Sequence, residues 1–523
     1  MTVFSKQQHD ILSSSSRNKR LLLAFLATCA FVGFTIYCVT KNTESLATQI
    51  SLVAVLVALI SYGSVVLWLE ASRGELFSPI ALFSASVLAH FGVTGLLYPD
   101  PDVFVSRRNY DFLVPSIFYS FAFVFVYNIA GYAILQYKRH SRNGNELTAW
   151  GGRGVYIAIG ILLLIGVSAR FIIIDWNVYL QTSLATLEGA RHIKFIGTVR
   201  QFELFPNYAA YIALIYAFSQ FKQHNIKAYN FAMRVGIALV VFNLIYWLPT
   251  GKKFPIIATT ILPIMILYLY QKRLPPLRLL VVAIVFVGAL FPLTHAYRVS
   301  QAQAFSGRNV DDLGSTLAAV GEAMVSSSSS QEMGARNRTF GRLNQNEPVA
   351  GSIRIINDGE ADLRWGVDYA NVMTNMIPGF LWPDKPKVMY GNEFGHLTEM
   401  VQRTDPYTAI SVTLIGESFL NFHIAGILVG GLLALIFCGI YILGRCGVCK
   451  ETSTLLYVVA TPTILYVGAS FALYISSMIQ TLVVVFLVAK CLEVRSSRRA
   501  AMMARSRGPA WANSAPSPGT GAA

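Results

Sequence analysis

Charged side chains are scarce in this sequence. They make up 13% of its 523 residues, whereas hydrophobic residues make up 54%. A soluble protein of this length would carry about a quarter charged residues, so a soluble globular fold is excluded. Acidic residues are the rarer kind, with 27 Asp and Glu against 42 Lys and Arg. The basic residues cluster in short connections between apolar runs and in the C-terminal tail, which is typical of membrane topology and argues against nucleic acid as a partner.

Cysteine is also rare, with six residues. Cys446 and Cys449 form a single CxxC pair. A structural zinc site needs a second pair of ligands, which the sequence does not offer, so we expect two reduced thiols. The others lie in or beside apolar runs and are expected to pack as small hydrophobic residues: Cys29, Cys38, Cys438 and Cys491.

The signatures of several enzyme classes are missing from the sequence. It contains no Gly-rich phosphate loop, no HExxH motif, no nucleophile elbow and no kinase signature. Acidic pairs occur at Asp100 and Asp102 and at Asp358 and Asp362, but hard divalent ions need more oxygen ligands than either pair provides. We therefore expect neither a metal ion nor a cofactor.

Long apolar windows dominate what is present. About twelve of them can cross roughly 30 Å of hydrocarbon as helices that rise 1.5 Å per residue. The sequence thus predicts an all-α polytopic membrane protein with about twelve transmembrane helices. The predicted spans are 21–40, 47–69, 77–97, 112–136, 154–174, 204–221, 235–249, 254–270, 277–297, 424–444, 454–472 and 474–491.

The placement of Lys and Arg predicts the topology, because cytoplasmic connections carry the excess of basic residues. Both termini are expected in the cytoplasm, with one large loop outside it. The predicted organisation is a cytoplasmic N-terminus (1–20), a first bundle of spans (21–297), a large extracytoplasmic loop (298–423), the last spans (424–491) and a basic, disordered cytoplasmic tail (492–523).

The large loop is expected to contain partial helices. Asn309 can cap one helix, and the polar run from Ser326 to about Ala350 has the composition of a flexible linker. A second helix is predicted over 361–376, with its apolar residues on one side and Pro378 after its end. Outside this loop, leucines near helical spacing in 177–203 predict an interfacial helix.

Glu417 is the leading candidate for catalysis. It lies just before a predicted span, at or near membrane depth, where a carboxylate is costly and normally has a partner or a task. Asn421 and His423 follow within about one helical turn and can share a face with it. The alternatives are a structural ion pair for Glu417 and an interfacial role for His423. His90 and His295, inside spans, are expected to be packing residues.

Several basic residues lie on the predicted outer side, against the topology rule. One such residue alone would be explained by snorkelling to the outer headgroups. Together they predict an anion at the outer surface. These residues are Arg170, Arg191, Arg200, Lys252 and Lys253. Because nucleotides are absent outside the cytosol, an external reaction needs an activated substrate, and a lipid-linked pyrophosphate meets that need.

Two motifs carry a family resemblance. The run Ile377-Pro-Gly-Phe-Leu-Trp-Pro-Asp-Lys-Pro386, followed by Ile415-Gly-Glu-Ser-Phe-Leu-Asn-Phe422 and Gly426, resembles the Wzy-type polymerases of O-antigen and exopolysaccharide. The span number and the late outer loop are similar to that family as well. The hairpin Thr250–Phe254 is similar to its small-residue-plus-basic turn, which often carries Arg; Lys252 and Lys253 depart from this and lack the bidentate fork.

The resemblance implies a metal-independent glycosyltransferase of GT-C-like architecture in the bacterial inner membrane. Such an enzyme transfers a growing glycan from undecaprenyl pyrophosphate to the next lipid-linked repeat unit on the periplasmic face. Glu417 or His423 would deprotonate or orient the acceptor. Arg298 would join Lys252, Lys253, Arg191 and Arg200 at the pyrophosphate, while Trp382 and Lys385 would line the sugar path.

The implied partners are the undecaprenyl-pyrophosphate-linked oligosaccharide, membrane lipids, and a chain-length regulator and flippase of the same pathway. Three alternatives remain open: an O-antigen ligase, a lipid-linked oligosaccharide flippase or other transporter, and a non-catalytic member of an assembly complex. Transporters commonly show internal repeats and midplane polar sites. The sequence shows neither clearly, which favours the polymerase.

Overall fold

A computed structural model describes eleven parts of the chain: residues 46–97, 106–137, 150–173, 199, 202–250, 253–271, 344–377, 382, 390–405, 409–446 and 449–506. All regular structure in these parts is helical, which confirms the all-α class. Several predictions lie outside the described residues. They are the spans 21–40 and 277–297, most of the interfacial helix 177–203, the helix after Asn309, the serine run 326–330 and the tail beyond Gly508.

The described helices follow one another along the chain without a strand between them. They are α1 (Leu46–Ser72), α2 (Pro79–Val87), α3 (Thr94–Leu97), α4 (Arg107–Tyr110), α5 (Leu113–Tyr137), α6 (Gly152–Ile173), α7 (Phe205–Lys222), α8 (Ile226–Thr250), α9 (Lys253–Gln271), α10 (Asn346–Asn357), α11 (Val367–Met376), α12 (Tyr390–Leu397), α13 (Leu414–Phe422), α14 (Val429–Cys446), α15 (Lys450–Leu465) and α16 (Phe471–Ser506).

Seven helical segments among the described residues are long and apolar enough to cross a membrane, so the chain is a multi-pass membrane protein. They are Ile50–Ser72, Pro79–Leu96, Leu113–Gln136, Gly152–Ile173, Ile226–Trp247, Leu414–Leu443 and Phe471–Glu493. The remaining predicted windows within the described residues coincide with α7, α9 and α15. The count of about twelve spans and the GT-C-like arrangement stay predictions.

Helix α7 is not among these seven segments, although it belongs to the helical bundle. Every residue from Phe205 to Gln220 is buried, including Asn207 and Ser219. A helix surrounded by protein can carry polar residues that find partners there, since it need not present an apolar surface to lipid. This helix is therefore an internal element of the bundle.

A π-helical segment, Leu88–Val93, joins α2 to α3 and links this span to the large loop. The carbonyl of His90 accepts a hydrogen bond from the Gln345 backbone N–H at 3.2 Å. The Asn346 side chain donates to the Phe91 carbonyl at 3.1 Å. π-Helical turns free backbone carbonyls from the usual ladder, and here the start of α10 supplies the missing donors. His90 itself bonds the Ser86 carbonyl through Nδ1 at 2.8 Å, as a packed histidine does.

The flexible linker predicted up to about Ala350 is wrong over its last residues. Helix α10 begins at Asn346, and its residues from Asn346 to Ile355 are buried. The polar composition of this segment suggested a solvent-exposed linker, but its polar side chains are buried in the protein. Glu347 accepts from the Ser106 N–H at 3.1 Å, and Ser352 donates to the Pro348 carbonyl at 2.8 Å.

The helix predicted over 361–376 begins later, at Val367. Trp365 and Gly366 have φ values of 48° and 86°, so the backbone enters the left-handed region just before the helix. Gly366 adopts that region without steric cost, whereas Trp365 does not. This local reversal delays the helix start.

The span predicted over 424–444 is preceded by a separate helix, α13, and the two are joined by a 3-10 turn at His423–Leu428. His423 has φ 53° and ψ −139°, which ends α13 sharply. The chain folds back so closely that a Cβ on Gly426 would clash with the Ser418 carbonyl oxygen and the Tyr119 hydroxyl. The fold therefore requires glycine at this position.

Replacing Gly426 with alanine is expected to destabilise the protein by about 3 kcal/mol, because the obstructing atoms include backbone and cannot move freely. The matched control is Gly439→Ala in α14, where an added Cβ meets nothing within 4 Å. That change should be neutral or stabilising by about 0.5–1 kcal/mol. Thermal unfolding in detergent compares the two, and equal midpoints would refute the close turn.

Candidate functional site

Glu417 lies in the first turn of α13, within a run of buried residues. Thr413 is the N-cap of this helix, and its hydroxyl accepts a hydrogen bond from the Gly416 N–H at 2.9 Å. The Glu417 residue is only 4% exposed. Its Oε2 accepts a hydrogen bond from the backbone N–H of Phe471, the first residue of α16. The positive end of a helix dipole thus faces this carboxylate.

No basic side chain of the described residues lies within 4 Å of the Glu417 carboxylate. The alternative of a structural ion pair with one of the outer basic residues stays open, because the side chains of those residues other than Arg170 lie outside the described residues. Burying an ionised carboxylate costs several kcal/mol unless it is paired or fully hydrogen-bonded. The hydrogen bond from Phe471 offsets part of that cost.

Asn421 connects α13 to the beginning of α11 and to the residue before it. Its Nδ2 donates to Asp368 Oδ2 at 2.9 Å and to the Glu417 carbonyl at 2.8 Å. Its Oδ1 accepts from the Gly366 N–H at 3.0 Å. Arg364 Nε in turn donates to Asp368 Oδ2 at 2.6 Å. These contacts define a group that we call the Glu417 cluster: Arg364, Asp368, Tyr369, Glu417 and Asn421.

Tyr369 completes the Glu417 cluster from α11. Its ring packs against Phe471 and Phe422, with centroid separations of 4.4 and 5.4 Å. Its hydroxyl is buried and has no hydrogen-bond partner among the described residues. Burial, followed by the negative potential of Glu417, raises the pKa of this hydroxyl well above its usual range. A buried phenol without a partner, beside a carboxylate, can bind a hydroxyl or another polar group of a ligand.

His423 lies beyond the end of α13 and does not continue the face of Glu417 and Asn421. Its ring packs against Phe419 at 4.7 Å, and its carbonyl accepts from the Tyr119 hydroxyl at 3.3 Å. Tyr119 also bonds the Ser418 hydroxyl at 2.9 Å. Of the three residues predicted to share a helix face, Glu417 and Asn421 lie on one face of α13. The backbone reversal at His423 turns its ring toward Phe419.

Arg170, a predicted anion-binding residue, lies in a separate buried group and is 2% exposed. It donates to the Glu203 carbonyl at 3.1 Å and to the side chains of Asn207 and Asn243 at 3.2 and 2.5 Å. The Tyr246 ring lies 3.9 Å from its guanidinium carbon. These contacts tie α6, α7 and α8 together, and the predicted anion-binding role of Arg170 stays a prediction.

The other predicted substrate-binding residues cannot be placed. The side chains of Arg191, Arg200, Lys252, Lys253, Arg298 and Lys385 lie outside the described residues. Trp382 is described and is 40% exposed. Their predicted roles stay predictions.

The acidic residues at and after Asp358 form ion pairs with two arginines. Glu360 bonds Arg354 and Arg108, each at 2.9 Å, and Asp358 bonds Arg108 at 3.2 Å. Arg354 is fully buried and also reaches Asn109 at 2.9 Å and the Leu397 carbonyl at 2.6 Å. This network joins α4, α10 and α12 into one unit beside the spans, which we call the cap.

Sequence reasoning missed Arg364, Asp368 and Tyr369 as members of the site, and it missed Arg354 as a buried organiser of the cap. One signal was available for the first two, since Arg364 and Asp368 are spaced i, i+4 in a predicted helix. Nothing in the sequence indicates that Asp368 lies beside Asn421, because the contact spans more than fifty positions.

No protein-family model matches this chain, and neither do the curated proteins or solved structures compared with it.

Proposed function

We propose that this chain polymerises lipid-linked oligosaccharide repeat units on the periplasmic face of a bacterial inner membrane. The supporting observation is the Glu417 cluster, in which the Gly-Glu-Ser-Phe-Leu-Asn-Phe motif of the resemblance contributes a buried carboxylate with no basic side chain within 4 Å among the described residues. A polymerase function explains both the motif and the position of this carboxylate near the beginning of the apolar segment Leu414–Leu443.

The donor in this proposal is a glycan on undecaprenyl pyrophosphate. The acceptor hydroxyl belongs to the next lipid-linked repeat unit. Its oxygen attacks the anomeric carbon of the donor, the bond from that carbon to the pyrophosphate oxygen breaks, and undecaprenyl pyrophosphate leaves with the bonding electron pair. The proton of the acceptor hydroxyl passes to a base. Sugar-activating energy is already stored in the donor, so the reaction needs no nucleotide.

Glu417 is the proposed base. It is buried beside the Tyr369 hydroxyl, which has no hydrogen-bond partner among the described residues, and its carboxylate accepts a hydrogen bond from the Phe471 N–H. Asn421 fixes the helix that carries Glu417 to Asp368 and Gly366, so its proposed role is positioning. His423 is the alternative base. The outer basic residues predicted from the sequence, Lys252, Lys253, Arg191, Arg200 and Arg298, would stabilise the leaving pyrophosphate electrostatically.

Tyr369→Phe tests the contribution of the unpartnered hydroxyl. The protein should keep its thermal midpoint, because no hydrogen bond within the described residues is lost. Polymer synthesis should fall roughly 2- to 12-fold, the value of one hydrogen bond of about 0.5–1.5 kcal/mol to the substrate. Tyr156→Phe in α6 is the matched control, since it makes the same chemical change away from the Glu417 cluster. Unchanged synthesis in both variants would remove Tyr369 from the site.

Gene deletion followed by gel analysis of surface glycan distinguishes the proposal from its alternatives. Loss of a polymerase leaves a single repeat unit on the lipid core. Loss of a ligase leaves polymer on the lipid carrier, and loss of a flippase traps the repeat unit on the cytoplasmic side. A normal ladder of long chains in the deletion strain would contradict the proposed function.

A further inference from the structure

Helix α11 has an apolar face that no described part of the protein covers. Met373 is 72% exposed and Val367 56%, Ala370 between them is also exposed, and Ile377, directly after the helix, is 38% exposed. These residues recur every three or four positions and so form one helical stripe. The opposite face carries Asp368 and Val372, which are buried. The helix is therefore amphipathic, with its apolar side outward.

The helix runs alongside the membrane-spanning helix α16. Near its beginning, Tyr369 packs on Phe471, the first residue of α16. At its end, Gln480 of α16 donates to the carbonyls of Asn375 and Met376 at 3.1 and 2.9 Å. The two helices thus run in the same direction over this distance.

Gln480 fixes how deep the end of α11 lies. It is nine residues beyond Phe471 in the span Phe471–Glu493, which corresponds to about 13 Å along a helix. That is close to half of a hydrocarbon core of about 30 Å. In lipid, the free carbonyls at a helix end and a glutamine side chain both need hydrogen-bond partners. Here each satisfies the other, far from either end of the span.

We propose that α11 is a re-entrant helix, inserted into the leaflet that surrounds the Phe471 end of α16, with its apolar stripe against lipid acyl chains. On the neighbouring α16, Leu473 is 54% exposed as well. Trp365, 76% exposed, precedes the helix at the position where an aromatic side chain meets the membrane interface. This inference does not depend on the proposed reaction.

Depth measurement with spin labels tests the insertion. Single cysteines at Val367, Met373 and Ile377, in the full chain with its six native cysteines replaced, are labelled and reconstituted into phospholipid vesicles. Collisions with oxygen, which concentrates in the bilayer, are compared with collisions with a water-soluble nickel complex. Leu473→Cys is the lipid-facing reference, and Gln402→Cys, exposed in the cap region, is the water-facing reference.

The expected oxygen-to-nickel ratio rises several-fold from Val367 to Ile377, with Met373 resembling Leu473. Three results would overturn the proposal. A ratio like that of Gln402 at all three positions means that the stripe faces water. An equal, intermediate ratio at all three means that the helix lies flat on the surface. Protection from both reagents means that protein, such as a second copy of the chain, covers the stripe.

Discussion

Polymer synthesis is expected to fall by roughly 10²–10⁴-fold in Glu417→Gln, the usual contribution of a general base. Glutamine keeps the size of the side chain and an oxygen that can accept from the Phe471 N–H. It loses the ability to take a proton. Because the native carboxylate is buried and no described basic residue pairs with it, the neutral variant should fold at least as stably. Chain length on gels and the thermal midpoint are measured together.

The matched control is Glu393→Gln, which makes the same change at an exposed carboxylate of α12. It should leave polymer synthesis unchanged. If Glu417→Gln makes normal long chains, Glu417 is not the base, and His423→Gln becomes the next variant to examine. If it loses synthesis and stability together, Glu417 acts structurally through the start of α16, and the catalytic assignment is wrong.

Arg354→Met is expected to destabilise the cap by about 3–5 kcal/mol, the typical cost of removing one partner from a buried charged network. Arg354 is fully buried, and its loss leaves Glu360 without one cation and strands the Asn109 side-chain oxygen and the Leu397 carbonyl. Methionine preserves much of the volume, so lost packing contributes little. Limited proteolysis between residues 344 and 405 and thermal unfolding report the change.

Arg108→Met is the comparison variant, since Arg108 pairs with the same acidic residues from the surface. Solvent screening weakens such exposed pairs, so this change should alter the protease pattern only slightly. Burial raises the pKa of Glu399, but the hydrogen bonds from Ser106 and Arg108 outweigh this effect, so the pKa lies below its usual value. Similar proteolysis of both variants would contradict the central role of Arg354.

Much of the membrane architecture was predictable because a lipid environment imposes long apolar windows. Within the described residues, the predicted spans near α1, α5 and α6 match the helices to within a few residues. The prediction failed where polar residues are buried among themselves. The first residues of α10 were predicted to be part of a polar linker, yet Glu347 accepts a hydrogen bond from Ser106, far along the chain.

The candidate site was only partly predictable for the same reason. Glu417 and Asn421 stand out because polar residues near a span are costly, and the structure brings them to one face of α13. Asp368 and Tyr369 join them through tertiary contacts that local patterns do not encode. The turn of His423 away from that face follows from its left-handed backbone, which sequence periodicity does not indicate.

Reconstitution with a defined substrate tests the central claim most directly. Purified protein in phospholipid vesicles is given undecaprenyl-pyrophosphate-linked repeat units, and products are separated by size. The proposed function predicts a ladder of lipid-linked glycans, with one undecaprenyl pyrophosphate released for each repeat unit added. Vesicles in which the repeat unit is never extended, or is only moved across the bilayer, would contradict it.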